Sequence, residues 1–265
     1  MNAIAPTAVF APLAPSQRMP LRSVLHIYIG EVWDEMIKLA RVPAYTLMTV
    51  LPPVLFYFLF SASQQGKPAA ELYGLASFTA FGVISPGLLG IGIVFAMDRD
   101  RGLLALRRAF PMPAGAYLAA KLVLAALFAV LITLPIMLVA MTSAGVVLPP
   151  ARWAALLGVA VVGVMPFCAL GLYVGTLVKG ENSGAILNGI YLPMSFLSGL
   201  WVPLSALPYI LTVTAPIWPA YHLAILTRAA VGEVSPSNLA LHIAYLVTMT
   251  VVFFALSYQR LRKRG

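Results

Sequence analysis

The chain has 265 residues, of which 61% are apolar and only 9% charged, with a formal net charge of +9. A soluble domain carries about 25% charged residues and needs them as a solvated shell. A mean hydropathy of +0.94 excludes that class and reads as a polytopic membrane protein, with lipid in place of the shell. The single cysteine, Cys168, excludes a disulfide framework and any cysteine-based metal cluster.

Residues 1–20 contain Pro6, Pro12, Pro15 and Pro20 and no basic residue before Arg18, which predicts a flexible cytoplasmic tail and not a secretory signal. Residues 21–265 read as one transmembrane domain. It opens with Leu21, Leu25, Tyr28, Val32, Met36 and Leu39 at helical spacing, and with Glu31, Asp34, Glu35 and Lys38 on the other side. That pattern predicts an amphipathic helix lying on the inner membrane surface. Crossing roughly 30 Å of hydrocarbon takes about 20 apolar residues. Six segments qualify: residues 44–61, 75–97, 122–141, 153–178, 183–201 and 239–258.

The uncharged stretch 183–227 is long enough for two crossings, but its second half holds Pro203, Pro208, Pro216 and Pro219. Each proline inside a helix costs about 3 kcal/mol, so residues 203–228 predict two short helices that dip back into the membrane from one side. With six spans and both termini inside, Lys67, Arg152 and Arg228 alone among the 17 basic residues fall outside. A seventh crossing would carry the closing cluster of Arg260, Arg262, Lys263 and Arg264 outward, against the positive-inside rule. The expected fold is an all-α membrane protein with six transmembrane helices, N-in/C-in. It adds an N-terminal amphipathic interfacial helix and a re-entrant extracytoplasmic helical hairpin between spans five and six.

No Asp, Glu, Lys or Arg falls inside these six segments. Ion-coupled carriers keep an intramembrane carboxylate and voltage sensors keep arginines, so both classes are disfavoured. His26, His222 and His242 are far apart in sequence with no metal-ligand spacing, and no G-x-x-x-x-G-K-[ST] phosphate loop is present. Ser61, Ser63, Ser195 and Ser198 have no neighbouring base, and a serine nucleophile needs one. The reading assigns no catalytic and no metal-ligating residue, so chemical energy has to come from a partner.

The inner loop Asp98–Pro113 points to where that partner docks. Alternating charges lead into Leu103, Leu104, Leu106 and Phe110 with Arg107 and Arg108, and Pro111 and Pro113 stop the helix. Such a segment suits a groove on a soluble protein. A basic loop resting on anionic headgroups is the alternative, against which Asp98 and Asp100 count.

Three stretches then line up with a known family. Glu35 and Arg41-Val-Pro43 lead into a span holding Pro52-Pro53 and ending Tyr57-Phe-Leu-Phe60. Asp100-Arg-Gly102 is followed by Leu106 and Pro111. Leu197-Ser-Gly-Leu-Trp-Val-Pro203 is followed by Leu207-Pro208, Pro216 and Pro219-Ala-Tyr-His222. In this order about the spans, they resemble the permease subunits of ABC-2-type ATP-binding-cassette exporters. The chain departs from the pattern at Ala105, where the family often has a second acidic residue, and in the basic pair Arg107-Arg108.

The resemblance implies a permease subunit with no cofactor and no catalysis of its own. Two permeases, expected as a homodimer, work with two ATPase subunits that bind ATP and Mg. It places Glu31, Asp34, Glu35, Lys38, Arg41, Asp98, Arg99, Asp100, Arg101, Arg107 and Arg108 toward the ATPase. A substrate path at the permease–permease interface, lined from spans one, two and five, takes as candidates Phe56, Tyr57, Phe60, Phe78, Phe81, Asn188, Tyr191, Met194, Phe196 and Trp201. Asn188 is the sharpest, because a mid-span amide is costly unless it pairs or faces a pathway.

A charge-free path rich in aromatics and methionine suits export of a hydrophobic or amphipathic compound: a drug (multidrug efflux), an antibiotic-like metabolite or a lipid-like molecule. Polysaccharide or lipo-oligosaccharide export is the alternative, ahead of an ion-coupled carrier or a non-transporting membrane anchor. The expected setting is the bacterial cytoplasmic (inner) membrane, among lipid and without nucleic acid.

Overall fold

A computed structural model describes residues 21–41, 43–103, 114–235 and 238–264. The expected tail at 1–20, the loop residues Leu104, Leu106, Arg107, Arg108 and Phe110, and the side chain of Lys38 lie outside the described residues. Within those residues the chain is all helix and turn, without a strand. In lipid every backbone group must find its partner inside the segment, and a helix does this.

The elements are α1 (Leu21–Arg41), α2 (Pro43–Ser63), α3 (Pro68–Ser85), a π-helical turn (Pro86–Ile91), α4 (Gly92–Asp100), α5 (Ala114–Thr142), α6 (Pro150–Gly163), α7 (Met165–Gly175), α8 (Gly180–Leu197), α9 (Tyr209–Thr214), α10 (Pro219–Val231) and α11 (Leu239–Arg264). Among the described residues, five helical stretches are long and apolar enough to cross a membrane: Thr46–Ser63, Pro68–Asp100, Gly115–Thr142, Pro150–Gly175 and Leu239–Leu261. These contain or overlap five of the six expected spans. The remaining one, at 183–201, forms α8, whose Glu181, Asn182 and Asn188 dilute its apolar character below that of the other five. Even so, α8 reaches between the two ends of the bundle. Its first amide, Gly180 N–H, donates to Asp100 at 2.6 Å, and just beyond its last turn Gly199 O accepts from Tyr73 at 2.6 Å.

The prolines of 203–228 break the chain as expected. Tyr209–Ile217 and Pro219–Val231 meet at a 90° bend. Gly232, at φ +81°, closes α10, since only glycine takes the left-handed conformation without strain. The Arg152 guanidinium occupies the space a Cβ there would need and donates to Val231 O at 2.7 Å.

The helices of the second and third expected spans, α3 and α5, extend past the charge-free segments 75–97 and 122–141 and enclose charged residues: Glu71 in α3 is 3% exposed and Lys121 in α5 is 1% exposed. A scan for charges ends a span at the first ionisable residue. The helix backbone continues wherever neighbouring helices cover that side chain.

The second and fourth crossings pack backbone to backbone. A Cβ on Gly171 would lie 2.6 Å from Leu88 O, one on Gly92 would lie 2.9 Å from Gly171 O, and one on Gly175 would lie 2.9 Å from Gly92 O. Small residues permit this approach, which replaces the hydrophobic driving force lipid does not provide. The π turn sits at the same contact. Pro86 at its start cannot donate a helix hydrogen bond, and a wider turn accommodates it. Cys168 is buried beside Gly87, a small packing residue as its apolar surroundings predict.

Candidate functional site

Two regions carry the sequence-predicted residues, one at each level of the bundle. The first is the charged end, where α1, α4, the start of α5 and the α7–α8 turn meet. Arg99 donates from Nη1 to Gly175 O at 2.8 Å and from Nη2 to Val178 O at 2.7 Å. The same guanidinium pairs with Asp100 at 2.7 Å, and the other Asp100 oxygen accepts from Gly180 N–H. A cation thus sits on the last carbonyl of α7 and on a carbonyl of the turn after it, and an anion on the first amide of α8, each matching the local helix dipole. Arg99 and Asp100 fasten the end of α4 to this turn, although both remain partly exposed.

Glu35 turns inward. Its carboxylate meets Lys121 Nζ at 2.8 Å, with side chains 5% and 2% exposed. Lys121 Nζ also lies 5.2 Å from the Tyr117 ring centre, and Tyr117 donates to Asp98 at 3.3 Å. A polar chain, Glu35–Lys121–Tyr117–Asp98, therefore joins the surface helix α1 to α5 and α4. Glu31 is also buried, whereas Leu25, Ile29, Trp33 and Met36 are exposed. The stripe read as apolar faces outward in part, and two of the carboxylates opposite it face the protein. An apolar side turned outward suits contact with lipid, whereas buried carboxylates need partners among the helices. Of the residues expected to face an ATPase, Asp34, Asp100, Arg41 and Arg101 are exposed.

The second region is an aromatic face built by α2, α3, α8 and the chain after α8. Phe81 stacks on Tyr191 with centroids 5.2 Å apart and meets Trp201 edge-on at 5.1 Å. Phe56 lies 5.9 Å from Trp201 and 6.4 Å from Phe81. Such pairs contribute about 0.5–1.5 kcal/mol each beyond burial. Tyr191 Oη donates to Phe81 O at 3.1 Å, which pins α8 to α3. Phe81 and Tyr191 are buried, and Phe56 and Trp201, both about 40% exposed, form the open side.

Phe60 packs on Phe78 at 5.4 Å and Tyr57 on Phe78 at 6.2 Å, one turn further along. Tyr57, Phe78 and Met194 are buried, and Phe196 is exposed. Asn188 is exposed on α8, and its amide donates to Gly184 O at 2.9 Å within its own helix. The polar cost is met locally, without a partner across helices.

Sequence reasoning brought Phe56, Phe81, Tyr191 and Trp201 forward from three separate stretches, and the fold unites them. It did not single out Lys121 or Glu71. Lys121 lies 86 residues from Glu35, a separation no local periodicity reports. Among the described residues no group of three or more His, Cys, Asp or Glu is placed to hold a metal ion.

Several apolar crossings, a charged end tied to a surface helix and an aromatic face define a multi-pass membrane protein built around a transport bundle. The ABC-2 type transporter family model matches residues 31–231, and the chain belongs to that family as a transmembrane permease subunit. It is similar to a Bacillus subtilis (strain 168) protein described as "Putative transport permease YvfS", with 27% identity over 220 residues. That alignment covers 80% of this chain and 89% of the relative.

Proposed function

We propose that the chain is the membrane half of an ATP-driven exporter that moves a hydrophobic or amphipathic compound out of the cytoplasm or inner leaflet. Families of this type work with an ATPase subunit; here the partner binds ATP and Mg, and this chain supplies the path and the coupling. Two copies pair through the exposed sides of α2 and α8, in a bacterial inner membrane with both termini inside and the bent pair α9–α10 re-entering from the outer side. The observation that carries the reading is the aromatic face. Four rings from α2, α3, α8 and the following turn converge there, with Phe56 and Trp201 open and no formally charged side chain among the four. A surface of that kind favours cargo with a large apolar body.

Coupling enters at the charged end. A push on α1 reaches α5 through Glu35 and Lys121, and a push on the segment after α4 reaches the α7–α8 turn through Arg99 and Asp100. Asp34, Arg41 and Arg101 present the outward contacts.

Reversing charge with Arg101→Glu together with Arg108→Glu tests this. Both residues belong to the loop proposed to meet the ATPase, so membrane insertion is expected to persist while ATPase association and ATP-dependent transport fall at least tenfold. Undiminished transport with the charge reversed would remove the coupling assignment.

A further inference from the structure

Glu71 stands apart from the other buried charges. It sits in the first turn of α3, at the end of the bundle remote from Asp98, and is 3% exposed. Tyr57 and Ser61, one turn apart on α2, are near enough to interact with its carboxylate. Yet both Glu71 oxygens, Ser61 Oγ and Tyr57 Oη are sealed from solvent without a hydrogen-bond partner of accepted geometry. Elsewhere buried or partly buried acids are matched: Glu35 by Lys121, Glu233 by Arg228 at 2.8 Å and Asp98 by Tyr117. Lys67 borders the same region but forms no ion pair with Glu71 among the described residues.

Glu71 also lines a cavity of about 190 Å³ between the α2–α3 turn and the loop after α5. Its remaining walls include Pro68, Leu72, Ala144, Val146 and Leu148. An ionised carboxylate in such surroundings is strongly disfavoured until a counter-charge arrives. A hard metal ion is a poor match, because calcium takes six to eight oxygen ligands and magnesium a near-ideal octahedron. The site offers one carboxylate and two hydroxyls beside a cavity whose walls are uncharged apart from Lys67 and Glu71 itself. An ammonium group is compact, donates three hydrogen bonds and can bring an apolar tail that suits those walls.

We infer that Glu71, with Ser61 and Tyr57, forms a binding site for the ammonium group of an amphiphile, the alkyl part lying in the cavity lined by Leu72 and Val146. On α2, Tyr57 directly follows Phe56 and Ser61 directly follows Phe60, so an amphiphile on the aromatic face is within reach of the site. The inference goes beyond the exporter reading and does not require ATP, so it is tested on the permease alone.

Dodecylammonium serves as the probe, with full-length permease in nanodiscs of phosphatidylglycerol, whose headgroup carries no ammonium. Saturable binding is expected, dodecanol failing to compete. Glu71→Gln should weaken it at least tenfold, as should Val146→Phe, which fills the cavity while keeping the carboxylate. Repeating the titration in phosphatidylethanolamine discs separates the sources. Competition by the lipid identifies a headgroup as occupant, and unchanged affinity identifies a cargo-like amine. Equal binding by the parent and Glu71→Gln, or no saturable binding by the parent, would overturn the site. So would an infrared carboxylic-acid band, assigned to Glu71 by its loss in Glu71→Gln, that persists at neutral pH with the amine present. Failure of ATP-driven transport would leave this result untouched.

Discussion

Lys121→Met is expected to destabilise the permease by about 3–5 kcal/mol, because it removes the cation paired with the buried Glu35 carboxylate. The pair lies 2.8 Å apart with side chains 2% and 5% exposed, so water cannot replace the lost cation. The double variant Glu35→Leu with Lys121→Met should recover most of that loss, since a buried ion pair exchanged for apolar groups of similar size is often near neutral. Thermal unfolding in nanodiscs reads both. If the pair acts only as a strut, the double variant also transports at the parental rate. If it transmits movement from α1 to α5, the double variant is stable but its transport falls by an order of magnitude. A single variant as stable as the parent would contradict the buried pair itself.

The second large effect is expected at Gly171. A Cβ at this position would lie 2.6 Å from Leu88 O and 2.9 Å from Gly87 O, and these are backbone atoms of the facing π turn that cannot rotate away. Overpacking a core typically costs 1–3 kcal/mol, and more where nothing yields. Gly171→Leu should therefore separate α7 from the second crossing and prevent recovery of monodisperse protein, with Gly171→Ala intermediate. Gly158, whose Cβ position meets nothing within 4 Å, is the matched control. Its Leu variant should fold as the parent does, as judged by size-exclusion profile and unfolding temperature. Equal tolerance at both positions would rule out the close approach as a source of stability.

Much of the architecture is readable in the chain because hydrocarbon imposes a length and a composition on every crossing. Residues 44–61, 122–141 and 239–258 fall within or nearly within α2, α5 and α11, and the prolines from Pro203 to Pro219 mark where the chain bends through 90°. The second crossing is less legible. The expected span starts at Leu75, within the uncharged stretch 72–97, yet the helix starts at Pro68 because α2 covers Glu71. Helix α8 is recognisable by the absence of charge after Glu181, but its asparagines and glycines make it less apolar than the five helical stretches that are long and apolar enough to cross.

The charged end was legible by residue type and not by orientation. Glu35 lies on the polar side of α1 by its periodicity, and only the position of Lys121 shows that this side meets the protein. The four rings of the aromatic face were each visible as apolar span residues. Their meeting depends on α3 and α8 packing together, which Tyr191 and Phe81 enforce through a contact 110 residues apart.

The central claim is that this permease draws its energy from a separate ATPase. The direct measurement is a mild-detergent pull-down of the tagged chain from its native cell, followed by identification of the co-purifying proteins and an assay of ATP hydrolysis. The account predicts a near-stoichiometric P-loop ATPase whose hydrolysis is stimulated by amphipathic compounds. A clean permease without any ATPase, obtained again after gentle crosslinking, would contradict it.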